Sequence, residues 1–140
     1  MNRPAVAVGV VCFRGDEVLM IVRANPPGQG DWSIPGGRVE WAEGVRDTAL
    51  RELREETGVE AELLGLIDVV DGLFPVGADP YEHHVVLVDY AAVWVSGEPR
   101  AGDDAVQARF VPLKEAAELA TWSETARVIL KAWDAYGAGR

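Results

Sequence analysis

The stretch from Gly37 to Val59, GRVEWAEGVRDTALRELREETGV, decides how the rest of the 140-residue chain is read. Its middle, Arg51-Glu52-Leu53-Arg54-Glu55-Glu56, is helix-forming. The spacing predicts a helix from about Gly44 to Thr57, with Gly58 as the natural stop. Glu52, Glu55 and Glu56 stand at i, i+3 and i+4, which places them within an arc of roughly 100°. Val45, Ala49 and Leu53 form an adjoining, partly overlapping stripe. The carboxylates therefore border the face that the helix must bury. Three negative charges so close together repel one another and lose water as well. A hard cation such as Mg²⁺ relieves both problems, because it binds carboxylate oxygens and water.

Upstream, Ala5 to Phe13 and Glu17 to Arg23 are β-rich runs around the turn Arg14-Gly15-Asp16, the pattern of a hairpin. Ala24 to Asp31 is a Pro/Gly surface loop, and Trp32 to Pro35 a short extended piece. Gly36-Gly37 is expected as a turn where backbone can approach a ligand, and Arg38 to Trp41 as a short strand. Downstream, Val59 to Val70 is a strand with a bend at Gly65, Asp71 to Tyr81 a loop, and Glu82 to Val95 the longest β run. Val106 to Pro112 is a strand, Leu113 to Leu119 a short helix, and Trp122 to Tyr136 a final helix. Strands with interspersed helices predict a mixed sheet covered by helices on its faces.

The length corresponds to one domain, residues 1–140. A hydrophobic fraction of 49% with 26% charged residues is an ordinary globular balance. A net charge of −10 argues against a nucleic-acid polymer as partner. Cys12 is the single cysteine, so no internal disulfide forms, and its apolar strand makes it a buried, inert thiol. No apolar run approaches the ~20 residues of a membrane helix, and Met1 to Pro4 lacks a signal-peptide core. No membrane partner and a cytoplasmic setting are the expectations. The apolar strands make a homodimer a reasonable expectation.

Written with its gaps, the central stretch is Gly37, Glu43, Arg51-Glu52-Leu53, Glu55-Glu56 and Gly58-Val59. It resembles the signature box of the Nudix hydrolases, with every defining position matched. Seven fixed residue types would co-occur by chance about once in 10⁸ start positions. The resemblance implies an α/β/α sandwich with a loop-helix-loop metal site, and hydrolysis of a nucleoside diphosphate linked to another group. It implies Mg²⁺ or Mn²⁺ held by Glu52, Glu55 and Glu56, with the Gly37 carbonyl as a further ligand. Glu52 would also orient or deprotonate the attacking water. Glu43 would help hold the site, and Arg51 would pair with a carboxylate near the helix. The family often recruits a carboxylate from outside the box. Asp104 is the better candidate, Asp103 reads equally as a solvated turn acid, and Glu98 and Glu82 are weaker ones.

Substrate choice is written outside the box. Pro75 lies 16 residues beyond Val59, which resembles the marker of the ADP-ribose pyrophosphatase subgroup. A MutT-like nucleoside triphosphate hydrolase and a non-catalytic ligand sensor are the alternatives, the latter opposed by the intact carboxylates. Trp32 offers a flat face for a nucleotide base, or else packs as a core or lid residue. Arg23 and Arg38 are phosphate candidates. His83 and His84 point to opposite faces of their strand, so at most one meets a cleft. Trp94, Trp122 and Trp133 are expected in the core or an interface.

Overall fold

The computed structural model describes residues 3–26, 28–76, 79–102 and 104–137. Its elements in chain order are β1 (Ala5–Arg14), β2 (Glu17–Arg23), β3 (Trp32–Ser33), β4 (Gly36–Arg38), α1 (Val45–Thr57), β5 (Glu60–Val76), β6 (Asp79–Ser96), β7 (Ala105–Pro112), α2 (Leu113–Leu119) and α3 (Ser123–Ala132). A π-helical turn, Trp133–Gly137, follows α3. The strands join in one sheet of order β3-β2-β1-β6-β5, with β4 paired to β1 and β7 to β2. Among the described residues only β1 and β6 pair in parallel, so the sheet is mixed.

Alternation along β1 divides the core in two. Val8, Val10 and Cys12 face α1, where they pack with Ala49 and Leu53. Val11 and Phe13 face the other side, where they meet Ala116 of α2 and Val128, Ile129 and Ala132 of α3. This is the expected α/β/α sandwich. Cys12 is buried, and that burial pushes its thiol up to about 12. Among the described residues no helix is long and apolar enough to cross a membrane.

Several local expectations give way. The loop expected over Asp71 to Tyr81 is instead the continuation of β5 to Val76 and the start of β6 at Asp79. Leu73 pairs with His84 and Phe74 with His83. A register shift between Phe74 and Val76 accommodates Pro75, which has no N–H for the ladder. The Gly36-Gly37 turn is strand β4, because glycine lets it lie tightly on β1: a Cβ at Gly36 would strike the Val8 carbonyl oxygen. The chain then leaves the sheet after Arg38. Glu43 N–H closes a turn onto the Glu40 carbonyl at 3.0 Å, so Trp41 projects into solvent rather than joining a strand. The final helix divides into α3 and the π-helical turn, whose Tyr136 hydroxyl donates to the Leu66 carbonyl at 2.9 Å. That contact sits beside the expected bend, where the β5 register shifts between Leu63 and Gly65.

Candidate active site

Helix α1 buries Thr48, Ala49, Leu53, Glu56 and Thr57 against the sheet. Gly58 ends it at φ 74°, and the Gly58 N–H donates to the Arg54 carbonyl at 2.9 Å. The three carboxylates are therefore graded in exposure. The side chains of Glu55 and Glu52 are 42% and 13% exposed, and Glu56 as a residue only 3%. Glu56 Oε1 accepts the Gly36 N–H at 2.7 Å, which ties the helix to β4. Burial pushes its carboxyl up to about 8, and the nearby charges of Glu52 and Asp104 add to the rise. Burial also raises Glu52, against the opposing pull of Arg51. The Glu52 carboxyl lies where a side chain at Gly37 would be, so any larger residue there would displace that carboxyl.

Arg51 holds this region together. Its Nε and Nη2 fork onto Glu43 at 2.7 and 2.9 Å. Its Nη1 donates to Glu52 at 2.8 Å and Glu55 at 3.1 Å, and Nη2 to the Arg38 carbonyl at 3.1 Å. Thr48 Oγ1 donates to Glu43 at 2.7 Å. The Arg51 and Thr48 hydrogen bonds hold the Glu43 carboxyl down at about 2. Arg51 holds Glu52 and Glu55, and no three His, Cys, Asp or Glu side chains among the described residues form a ready-made ligand set.

A cleft of about 730 Å³ opens beside these carboxylates. Gly37, Glu52, Glu56, Asp104, Arg23, Arg38 and Trp32 all line it, whereas Glu55 and Arg51 do not. The Arg23 charge favours ionised Glu56. Asp104 accepts from Asn25 Nδ2 at 2.8 Å, and its carbonyl from the Ala24 N–H at 2.9 Å, which pins it over the end of β2. Trp32 is fixed by two hydrogen bonds with Thr121 and carries the Arg109 guanidinium 5.1 Å from its ring centre. His83 lines the cleft and His84 is exposed. Glu98 is remote and pairs with Arg14 at 3.1 Å. Asp103 and the side chains of Pro75 and Glu82 lie outside the described residues.

Sequence reasoning missed the far end of the cleft. Phe74 and Trp122 meet there edge to face at 5.0 Å, and both line it. Asp89 also lines it, although only 5% exposed. Burial pushes its carboxyl up to about 6, opposed by a hydrogen bond from the Gly9 backbone. One signal was available: Asp89 interrupts an otherwise apolar run in β6, on the face it shares with Leu87 and Ala91.

Comparison with known proteins agrees with this geometry. An ADP-ribose pyrophosphatase of Methanocaldococcus jannaschii is 36% identical over 84% of this chain and 67% of its own length. A putative 8-oxo-dGTP diphosphatase of Mycobacterium tuberculosis is 36% identical over 74% of this chain and 69% of its own. The crystal structure of a MutT NUDIX hydrolase from Burkholderia pseudomallei superposes with a TM-score of 0.77 at 29% identity, covering 93% of this chain and 98% of that one. The NUDIX domain of Shewanella oneidensis NrtR, crystallised with ADP ribose, shares the fold with a TM-score of 0.81 at 21% identity, covering 96% and 90%. The NUDIX domain model matches residues 3–133, nearly the whole chain. With its box, its fold and its relatives in agreement, the chain belongs to the Nudix hydrolases.

Proposed function

We propose that the chain cleaves the pyrophosphate of a nucleoside diphosphate joined to a second group, with ADP-ribose or a related nucleotide sugar as substrate. The observation that carries this reading is one cleft that joins the carboxylates Glu52 and Glu56 to the aromatic side chains Trp32, Phe74 and Trp122. Such a cleft suits a ligand with an anionic end and a flat apolar end. The 36% identity to an ADP-ribose pyrophosphatase and the spacing of Pro75 support the choice of substrate.

The residues fit a hard divalent cation, Mg²⁺ or Mn²⁺. The donor set is all oxygen: Glu52, Glu55, Glu56 and Asp104, with the Gly37 carbonyl. Glu56 is a buried carboxyl whose charge is disfavoured by burial and by its acidic neighbours, the condition that a bound cation relieves. When bound, a divalent cation neutralises charge on the diphosphate and acidifies a coordinated water. Glu52 orients or deprotonates the attacking water through its carboxylate oxygens. Arg51 is a positioning residue, because it grips Glu43 with one edge and Glu52 with Nη1. Arg23 and Arg38 offer guanidinium groups to phosphate oxygens, and Trp32 gives the base a stacking face.

A second reading, hydrolysis of an oxidised nucleoside triphosphate, is favoured by the similarity to the putative 8-oxo-dGTP diphosphatase. A substrate panel with and without EDTA separates the two. ADP-ribose yields AMP and ribose 5-phosphate, whereas a triphosphate yields pyrophosphate, detected by coupling to inorganic pyrophosphatase. Pyrophosphate release from 8-oxo-dGTP with no turnover of ADP-ribose would replace the first reading by the second.

A further inference from the structure

Asp89 is a buried carboxyl outside the box. Gly9 on β1 is register partner both to Asp89 on β6 and to Gly36 on β4. Asp89 therefore lies about two strand spacings, ~10 Å, from the backbone that anchors Glu56. A side chain at Gly9 would collide with the Asp89 carboxyl, so glycine there makes room for it. The Gly9 backbone satisfies one oxygen. No buried side-chain oxygen among the described residues lacks a partner, so the remaining hydrogen-bonding capacity of Asp89 opens into the cleft. The cleft that Asp89 lines also carries the apolar and aromatic side chains of Ile34, Val70, Phe74, Leu87, Trp122 and Val128. A polar group among such side chains fixes ligand orientation.

We propose that Asp89 is the base-reading, specificity-determining residue of this cleft, pairing with the amino-bearing edge of an adenine. The inference rests on the nucleotide reading of the same cleft given above. Adenine presents a ring nitrogen acceptor, N1, beside the N6 amino donor. A neutral carboxyl offers the matching donor and acceptor. The oxygen that accepts from Gly9 keeps a second lone pair for the amino group, and the other oxygen donates its O–H to N1. Burial brings the carboxyl up to about 6, so that neutral form predominates below that pH, and the binding test is run at about pH 5.5. Asp68 of β5 acts in the same direction and Arg127 of α3 against it, while His83 of β6 and Glu124 of α3 line the same cleft.

The test is ligand binding to the intact protein, read by quenching of its tryptophans, with AMP, IMP and the 5′-monophosphate of unsubstituted purine riboside. AMP binds roughly tenfold tighter than either analogue, the worth of one to two hydrogen bonds. Asp89→Asn keeps this preference, because an amide supplies the same donor and acceptor, whereas Asp89→Leu abolishes it. Equal binding of AMP and IMP by the wild-type protein overturns the proposal. So does an unchanged preference in Asp89→Leu, or its loss in a folded Asp89→Asn. The analogue series on the wild-type protein stands even if a variant fails to fold. Turnover is measured separately: a preference for AMP without hydrolysis of ADP-ribose sinks the substrate reading alone, and hydrolysis without a base preference sinks the role of Asp89 alone.

Discussion

At one end of the cleft, Gly37, Glu52 and Glu56 come from one continuous stretch, in which Arg51, itself outside the lining, joins Glu43 to Glu52 by charge-assisted hydrogen bonds of 2.7–2.9 Å. At the other end, Trp32, Phe74, Asp89 and Trp122 come from four separate segments, brought together by the sheet and the loop before α3. The first end is a local device, set largely by helical spacing and two glycines. The second exists only once β3, β5, β6 and the loop before α3 have come together. The chain is a Nudix hydrolase acting on pyrophosphate bonds, and the contrast suggests how its labour divides. Changes at the local end should act on kcat, and changes at the assembled end on KM and substrate choice.

The largest effect is expected at the carboxylates. Replacing Glu55 and Glu56 together by Gln should lower kcat by about 10³-fold or more. Folding should persist, because the amide oxygen of a glutamine in place of Glu56 can still accept the Gly36 N–H. Activity assays beside thermal melts check this, and unchanged turnover would remove these residues from the metal site.

Arg51 comes next. Arg51→Ala removes the guanidinium from Glu43 and Glu52, leaving Glu43 with Thr48 and the Glu40 N–H, and should cost about 1–3 kcal/mol of stability, with kcat reduced about tenfold or more. Arg51→Lys should rescue little, because a single ammonium cannot fork onto Glu43 while also reaching Glu52. The same pair has a pH signature. Glu43 is held at about 2, below its ordinary 4.5, so its contribution to stability is present above 4.5 and is lost as pH falls through 2. Melting temperature followed from neutral to acid pH should fall less steeply in Glu43→Gln than in the wild-type protein.

This contrast also explains what the sequence could reveal. The spacing of Glu52, Glu55 and Glu56 along one helix, the stop at Gly58 and the stripe of Ala49 and Leu53 are local properties, and the structure reproduces them. The hairpin and the helices over both faces follow from periodicity in the same way. Asp71 to Tyr81 did not, because glycines and prolines mark turns only when no neighbouring strand claims the backbone, and here β5 and β6 pair through most of it. Trp122 was expected in the core, and it does pack there while also facing the cleft. Which side of such a residue stays open is decided by tertiary packing. Asp89 was visible only as an acid in an apolar strand. Its meaning depends on Gly9, eighty residues earlier, leaving room for it.

At the assembled end, Trp32→Ala should raise KM about tenfold while kcat changes by no more than about twofold, as expected for loss of a stacking face. A matching fall in kcat would mean that Trp32 shapes the carboxylate end as well, and would blur the division between the two ends. Thr121 makes that outcome testable, since its two hydrogen bonds with Trp32 involve the Trp32 backbone and survive the substitution.

The smallest effect is expected one layer farther out, at Arg109. Its guanidinium stacks on Trp32 and lies 3.9 Å from Glu115, with Gln107 accepting from Nε at 3.1 Å. It does not line the cleft. Its influence on substrate therefore has to pass through the indole. An exposed cation–π contact is worth about 0.5–1 kcal/mol, so Arg109→Ala should raise KM only about two- to fivefold and leave kcat unchanged. In a double-mutant cycle with Trp32→Ala the effect of Arg109→Ala should vanish, because an alanine has no ring left to hold. Full additivity would instead place Arg109 in contact with substrate by a route independent of Trp32.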